Sequence, residues 1–169
     1  MDKINYALES FKNIQDLIKF ADQKAGAVLI VIGLIFTAFI QYLEKSTFST
    51  KNVTTIGTIT FLFGLTTLIC MIVVLYYSVY KILKPRFAKN YQKGELSTFY
   101  FEHICMVNKE LHDKYENISA ENMLKDIIDQ QVEVSHILNE KNKNLAKSFI
   151  WLFAALFASM VFIILSIHL

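Results

Sequence analysis

Glu133 and His136 are spaced three residues apart, which is the spacing of one half of a four-helix di-iron site. A complete site of that kind needs a second Glu-x-x-His pair, and the sequence contains none. A lone pair with this spacing is usually solvated helix surface, so we expect no metal centre. His103 and His112 are likewise expected to be polar surface residues and not catalysts.

Enzyme signatures are missing from the sequence. It contains no phosphate-binding glycine loop, no CxxC, no HExxH and no G-x-S-x-G motif. The charges are nearly balanced, with 17 basic and 15 acidic residues, and a nucleic-acid-binding protein would instead show a basic stripe. We therefore expect neither an enzyme nor a nucleic-acid-binding protein.

The elements that must position any site are dominated by three long uncharged segments. They run over residues 25–43, 52–80 and 148–169, with lengths of 19, 29 and 22 residues, and none contains Asp, Glu, Lys or Arg. About 20 helical residues span a bilayer core. A soluble protein would interrupt such segments with charges at helical spacing. The sequence thus predicts an all-α membrane protein with three transmembrane helices.

The placement of basic residues predicts the orientation. Of the 17 basic residues, only Lys45 and Lys51 lie between the first two apolar segments, and none follows the third. The other fifteen lie before Ala25 or within 81–147, which the positive-inside rule makes cytoplasmic. The N-terminus is therefore predicted inside and the C-terminus outside.

Two amphipathic segments flank the membrane spans. Apolar residues at helical spacing in 3–22 predict one helix from about Lys3 to Leu43, and the open alternative is a helix lying on the membrane surface. Ser119 is placed to cap a second long helix over about 120–167, with Ile118 and Met123 at the positions of a hydrophobic staple. The first and the third spans would thus be extended by cytoplasmic amphipathic helical stalks. In the simplest arrangement these two stalks pack against each other.

The predicted organisation has six parts. They are a cytoplasmic amphipathic stalk (1–24), a first span (25–43), an external loop (44–51), a second span (52–80), a cytoplasmic helical region (81–147) and a third span (148–169). The second span is expected to stop at Pro85. The aromatic stretch Leu96–Ile104 is compatible with a short helix.

Small residues recur along all three spans, where they allow close helix contact in lipid, and hydroxyls are expected to bond across that contact. The predicted packing residues are Gly26, Gly33, Gly57, Thr60, Gly64, Thr67, Ala155 and Ala158. Two interpretations of the pattern itself stay open: packing within one protomer, which is favoured, or a threonine-lined face between protomers. The small-residue faces together with the amphipathic stalks also predict a homo-oligomer.

Three stretches of the sequence resemble one known family. The string Ala21-Asp22-Gln23-Lys24-Ala25-Gly26, at the entry to the first span, resembles the transmembrane effector family of Pycsar antiphage systems (PycTM). Phe101-Glu102-His103-Ile104 resembles that family's aromatic segment, and Gln131-x3-Ser135-x-Ile137-x3-Lys141 resembles its closing stretch. The resemblance covers nearly the whole chain, in order and in topology.

The resemblance implies an antiphage defence effector of the bacterial inner membrane. In such systems a partner cyclase responds to phage by making cUMP or cCMP, and the effector then disrupts or depolarises the membrane, so that the infected cell stops growing. No other cofactor is expected. The competing hypothesis is a structural or signalling membrane subunit whose stalks bind a protein partner.

A monoanionic nucleotide would need a cation, an aromatic platform and hydrogen bonds to its base. Lys24 or Lys141 is expected to supply the cation, Phe99, Tyr100 or Phe101 the aromatic platform, and Gln131 with Ser135 the hydrogen bonds. Asp22 is included with them as a candidate binding residue. Gln131 and Ser135 share one helix face, which makes them plausible neighbours.

Overall fold

The computed structural model describes residues 2–45, 55–85, 104 and 111–167. Within them the chain forms helix α1 (Lys3–Lys45), helix α2 (Thr55–Leu75), a π-helical segment (Tyr76–Leu83), helix α3 (Leu111–Asn117) and helix α4 (Ala120–Ser166). These described residues include no strand. The external loop 44–51 lies mostly outside them, and the aromatic stretch 96–104 lies outside them apart from Ile104.

The prediction of two long helices is confirmed by α1 and α4. Asp2 caps α1, because its Oδ1 accepts a hydrogen bond from the backbone N–H of Ile4 at 3.3 Å. Ser119 caps α4 in the same way, with its Oγ accepting the N–H of Asn122 at 3.2 Å. Beyond these caps, neither helix contains a proline that would break it.

The second apolar helix changes type before it ends. Residues 76–83 are π-helical, and the backbone N–H of Lys84 donates to the carbonyl of Val79 at 3.0 Å. The ψ of Lys84 is 128°, the extended value expected of a residue before proline. The predicted stop at Pro85 is therefore confirmed, whereas the π-helical turns were not predicted.

The described residues divide into two compact units. Unit 1 contains Met1–Phe20 and Pro85–Glu140, and unit 2 contains Ala21–Lys84 and Lys141–Leu169. Helices α1 and α4 each contribute residues to both units, so each passes from one to the other without a break.

Three helices are long and apolar enough to cross a membrane: α1, α4, and α2 together with the π-helical segment. Their outward faces expose large apolar side chains. Ile30, Leu34, Ile72, Phe153 and Phe157 are all more than 60% exposed. A water-soluble protein avoids such a contiguous apolar surface, whereas lipid covers it without cost. The prediction of an all-α membrane protein with three spans is confirmed.

The core of unit 2 fixes the relative direction of its helices. Ala25, Ile82 and Leu145 cluster at one end. At the other end the ring of Phe39 lies 4.7 Å from that of Phe162, centroid to centroid. Helices α1 and α4 therefore run in the same direction through unit 2. Helix α2 runs in the opposite direction, because its Gly64 lies against Phe162 and Phe39 while Ile82, in its π-helical continuation, lies beside Ala25.

Candidate functional site

Gln131 joins the two helices of unit 1. Its Nε2 donates a hydrogen bond to Ser10 Oγ at 2.5 Å, and both side chains are partly buried. Ser135, one turn further along α4, is exposed and donates to the backbone carbonyl of Gln131 at 2.7 Å. Gln131 therefore links α4 to α1, while the hydroxyl of Ser135 bonds its own helix.

A groove of about 540 Å³ lies along α1 beside Ser10. Among the residues that the structure describes, its lining consists of Tyr6, Glu9, Ser10, Lys12, Asn13 and Asp16. Tyr6 is 66% exposed and presents an aromatic face to solvent. The hydrogen bond from Lys19 to Asp16, at 2.9 Å, holds the pKa of that carboxyl below its ordinary value. One groove thus contains an aromatic ring, a cation and an amide, a combination that was not predicted from the sequence.

Asp22 and Lys141 meet in unit 2. Lys141 Nζ lies 2.5 Å from Asp22 Oδ1, which joins α1 to α4 at the start of the unit. The Lys141 side chain is only 7% exposed, against 35% for Asp22. Neither position stood out as half of a pair, because helical spacing shows which face a residue occupies but not its partner on another helix.

The structure brings only some of the predicted nucleotide-binding residues together. Asp22 and Lys141 are in contact, and Lys24 lies exposed on the same unit. Gln131 and Ser135 belong to unit 1. Phe101 lies outside the described residues.

The small residues of the spans occupy different environments. Thr60, Gly64, Thr67, Ala155 and Ala158 are buried inside unit 2, and Gly57 is half-buried. Gly64 packs under Phe162, whose Cε2 would lie 3.1 Å from a Cβ added there. Added Cβ atoms at Gly26 and Gly33 would meet nothing within 4 Å.

The hydroxyls of these threonines do not bond across the helix contact as expected. Thr60 Oγ1 donates to the carbonyl of Ile56 at 2.8 Å, and Thr67 Oγ1 to that of Phe63 at 2.9 Å. Both acceptors lie four residues earlier in the same helix, where a threonine hydroxyl reaches them easily. Contact across this face therefore comes from close packing.

One hydroxyl pair does cross between helices. Ser78 Oγ and Ser148 Oγ are 2.9 Å apart, and both residues are completely buried. The pair fixes the π-helical segment against α4. It was not predicted, although Ser78 is the one small polar residue between the aromatic and aliphatic side chains of 76–83.

Aromatic rings and lysines surround this contact. Lys84 Nζ lies 4.6 Å from the centroid of the Tyr80 ring, and Lys81 Nζ lies 5.6 Å from that of Tyr76. Lys147, on α4, places its Nζ 5.9 Å from the centroid of the Tyr77 ring. The Tyr76 and Tyr80 rings stack at 5.9 Å. Cations within about 6 Å of a ring centroid are attracted by the π face.

The side chains that lie close enough together to share a metal ion are not the Glu133 and His136 considered from the sequence. His112, Asp113 and Glu116 of α3 bring three donor atoms within 4.8 Å of one another, and all three side chains are exposed. Glu133 is buried and His136 is exposed on α4. An exposed acidic group on one short helix is common without a metal, so these residues define no site.

These observations define an all-α membrane protein with three apolar spans and a second helical unit that contains helix α3 and the N-terminal parts of α1 and α4. The model of the Pycsar effector protein domain matches residues 6–168. The chain is also 35% identical over 98 residues to the Pycsar effector protein TpPycTM of Treponema porcinum, a match that covers 58% of this chain and 80% of that protein. No solved structure matches. The chain belongs to the Pycsar effector family and is an effector of antiphage defence.

Proposed function

We propose that this protein binds a cyclic pyrimidine mononucleotide, cUMP or cCMP, made by a partner cyclase, and in response disrupts or depolarises the bacterial inner membrane. Infected cells would then stop growing before phage is released. Family membership supports the defence role. The observation that carries the mechanism is the continuity of α1 and α4, each of which contributes residues to unit 1 and to an apolar span.

The nucleotide would bind in unit 1. Its groove provides Tyr6 as an aromatic platform, Lys12 as a cation for the phosphate and Asn13 as a hydrogen-bonding group for the base. Its volume of about 540 Å³ lies within the range usual for small-molecule sites. Gln131 and Ser135 remain candidates, because Gln131 bonds Ser10 at the edge of this groove.

Binding would act through the pairing of α1 with α4. A ligand shifts a conformational equilibrium only by its difference in affinity for the two states. A nucleotide that replaces the Gln131–Ser10 hydrogen bond with its own contacts would favour a different pairing of these helices. The Asp22–Lys141 ion pair, at the start of unit 2, joins the same two helices and would respond to such a change.

Dye leakage from proteoliposomes tests the proposal. The full chain is reconstituted into vesicles loaded with a self-quenching dye, and cUMP, cCMP, cAMP and cGMP are added separately. We expect leakage with one or both pyrimidine nucleotides and none with the purine nucleotides. If none of the four nucleotides causes leakage, although the helix content of the protein is intact, the result would favour the structural or signalling subunit instead.

A further inference from the structure

The π-helical end of the second span lies where an apolar surface meets a strongly basic one. Leu75 and Val79 expose 42% and 47% of their surfaces along one side. The exposed Tyr76 and Tyr80 are their immediate neighbours in the sequence, with Lys81 and Lys84 over their rings. Exposed aliphatic and aromatic side chains thus alternate over residues 75–80, and two lysines follow them at 81 and 84, which matches the change from acyl chain to headgroup in a bilayer.

The charge at this end of unit 2 is unbalanced. Its described residues there carry six lysines, namely Lys24, Lys81, Lys84, Lys141, Lys143 and Lys147, against a single aspartate, Asp22. That aspartate bonds Lys141. The rings under Lys84 and Lys147 attract the ammonium groups but do not neutralise them. The described residues at this end of unit 2 therefore carry an excess of positive charge, which attracts anionic groups.

The lysines and tyrosines are held by buried structure. Ser78 and Ile82, on the inner side of the π-helical segment, are completely buried. The hydrogen bond between Ser78 and Ser148 sets the segment against α4 and brings neighbouring Tyr77 beneath Lys147. Cations from two helices thus flank one aromatic cluster, which is more than the independent snorkelling of single lysines.

We propose that this surface, defined by Tyr76, Tyr77, Tyr80, Lys81, Lys84 and Lys147, is a binding site for the headgroup of an anionic phospholipid. The ammonium groups hold the phosphate, the phenol hydroxyls donate to its oxygens, and the acyl chains lie along Leu75 and Val79. The lipid would fasten the π-helical segment at the membrane surface. The inference does not depend on the nucleotide response.

The one tryptophan of the chain provides the probe. Trp151 lies one turn beyond Lys147 on α4 and is 38% exposed. The full chain is reconstituted into phosphatidylcholine vesicles containing a fixed share of brominated phosphatidylglycerol or of brominated phosphatidylcholine. We expect brominated phosphatidylglycerol to quench Trp151 more strongly. Equal quenching by the two lipids would overturn the proposal.

Two variants with the same loss of charge separate a site from general attraction. Lys84→Gln/Lys147→Gln removes two cations of the surface, and Lys24→Gln/Lys143→Gln removes two from the same unit outside it. We expect the first to lower the relative affinity for phosphatidylglycerol by about fivefold for each lysine. The control should retain most of the preference. Equal losses in variants of unchanged helix content would mean that only total charge matters, which contradicts a site.

A competition arm distinguishes a lipid from a free phosphate. Glycerol phosphate or UMP, added at millimolar concentration, should leave the quenching by brominated phosphatidylglycerol unchanged. Displacement by either soluble phosphate would assign the surface to a soluble ligand and overturn the assignment to lipid.

Discussion

Lys141 Nζ donates a hydrogen bond to Asp22 Oδ1 at 2.5 Å, and the two side chains differ in their access to water. The lysine is 7% exposed and the aspartate 35%. The cation that was expected to hold a phosphate is thus already paired inside unit 2. Lys141 joins two helices that continue into membrane spans. Its role is therefore better tested by measuring protein stability and nucleotide-triggered depolarisation than by measuring nucleotide affinity.

Replacing the two partners should have unequal effects on stability. Asp22→Asn leaves a buried ammonium without its counter-charge and should lower the free energy of unfolding by about 3 kcal/mol, near the lower end for a broken buried pair. Lys141→Met removes the buried charge, keeps the volume and leaves a carboxylate that water can reach, so a loss of about 1 kcal/mol or less is expected. Denaturant unfolding in detergent measures both.

The double variant Asp22→Asn/Lys141→Met serves as the control. It contains no buried unpaired charge and should recover most of the stability lost in Asp22→Asn. Equal losses in the two single variants, or no recovery in the double variant, would contradict the assignment of Lys141 as the desolvated partner.

Substitutions of Lys12 and Lys141 should have different effects: the first on nucleotide affinity, the second on nucleotide-triggered depolarisation. A charge-assisted contact to a phosphate contributes roughly 1.5–3 kcal/mol, so Lys12→Ala should weaken nucleotide binding about ten- to a hundredfold. Gln131→Ala should weaken it as well, and both variants should still insert into the membrane. Lys141→Ala should abolish nucleotide-triggered depolarisation while leaving affinity unchanged, because its ammonium is engaged by Asp22.

Calorimetry and cell depolarisation assays measure these two quantities separately. Lys3→Ala removes a cation from the same helix outside the groove and is the matched control for Lys12→Ala. If Lys12→Ala binds like the unchanged protein and Lys141→Ala loses affinity, the phosphate contacts Lys141 and the groove is not the site.

The long helices could be predicted from the sequence, and the contacts between them could not. Apolar spacing, the absence of proline and the cap at Ser119 determine α4 locally, so the sequence is sufficient. The pairing of Asp22 with Lys141 depends on the register between two helices, which periodicity leaves open. The π-helical turns before Pro85 require one extra residue in the hydrogen-bond ladder, and composition gives no sign of this.

The two glycines Gly64 and Gly33 should respond differently to substitution. Gly64→Ala places a Cβ 3.1 Å from Phe162, which is completely buried and packs against Phe39, so the neighbouring ring cannot withdraw. A loss of about 1–3 kcal/mol is expected, as for other overpacked cores. Phe162→Leu in the same chain should restore part of it. Thermal unfolding in detergent measures the change.

Gly33→Leu is the matched control, because a side chain there meets nothing within 4 Å in the protomer. Its protomer stability should be unchanged. If the protein forms the homo-oligomer predicted from the sequence through this face of α1, Gly33→Leu should instead reduce the amount of oligomer measured by light scattering. Destabilisation by Gly33→Leu equal to that by Gly64→Ala would contradict the different environments of the two glycines.

The orientation of the chain can be tested by cysteine labelling. Fifteen basic residues flank the ends predicted to be cytoplasmic, and helices α1 and α4 run in one direction through unit 2 while α2 returns. In a background with Cys70 and Cys105 replaced, Ser46→Cys should react with an impermeant maleimide added to intact cells whose outer envelope is permeable. Asn108→Cys should react only after the inner membrane is opened.

A membrane-permeant maleimide that labels both positions confirms that each thiol is reactive. Labelling of both from outside, or of Asn108→Cys alone, would contradict the arrangement and with it the access of a cytosolic nucleotide to unit 1.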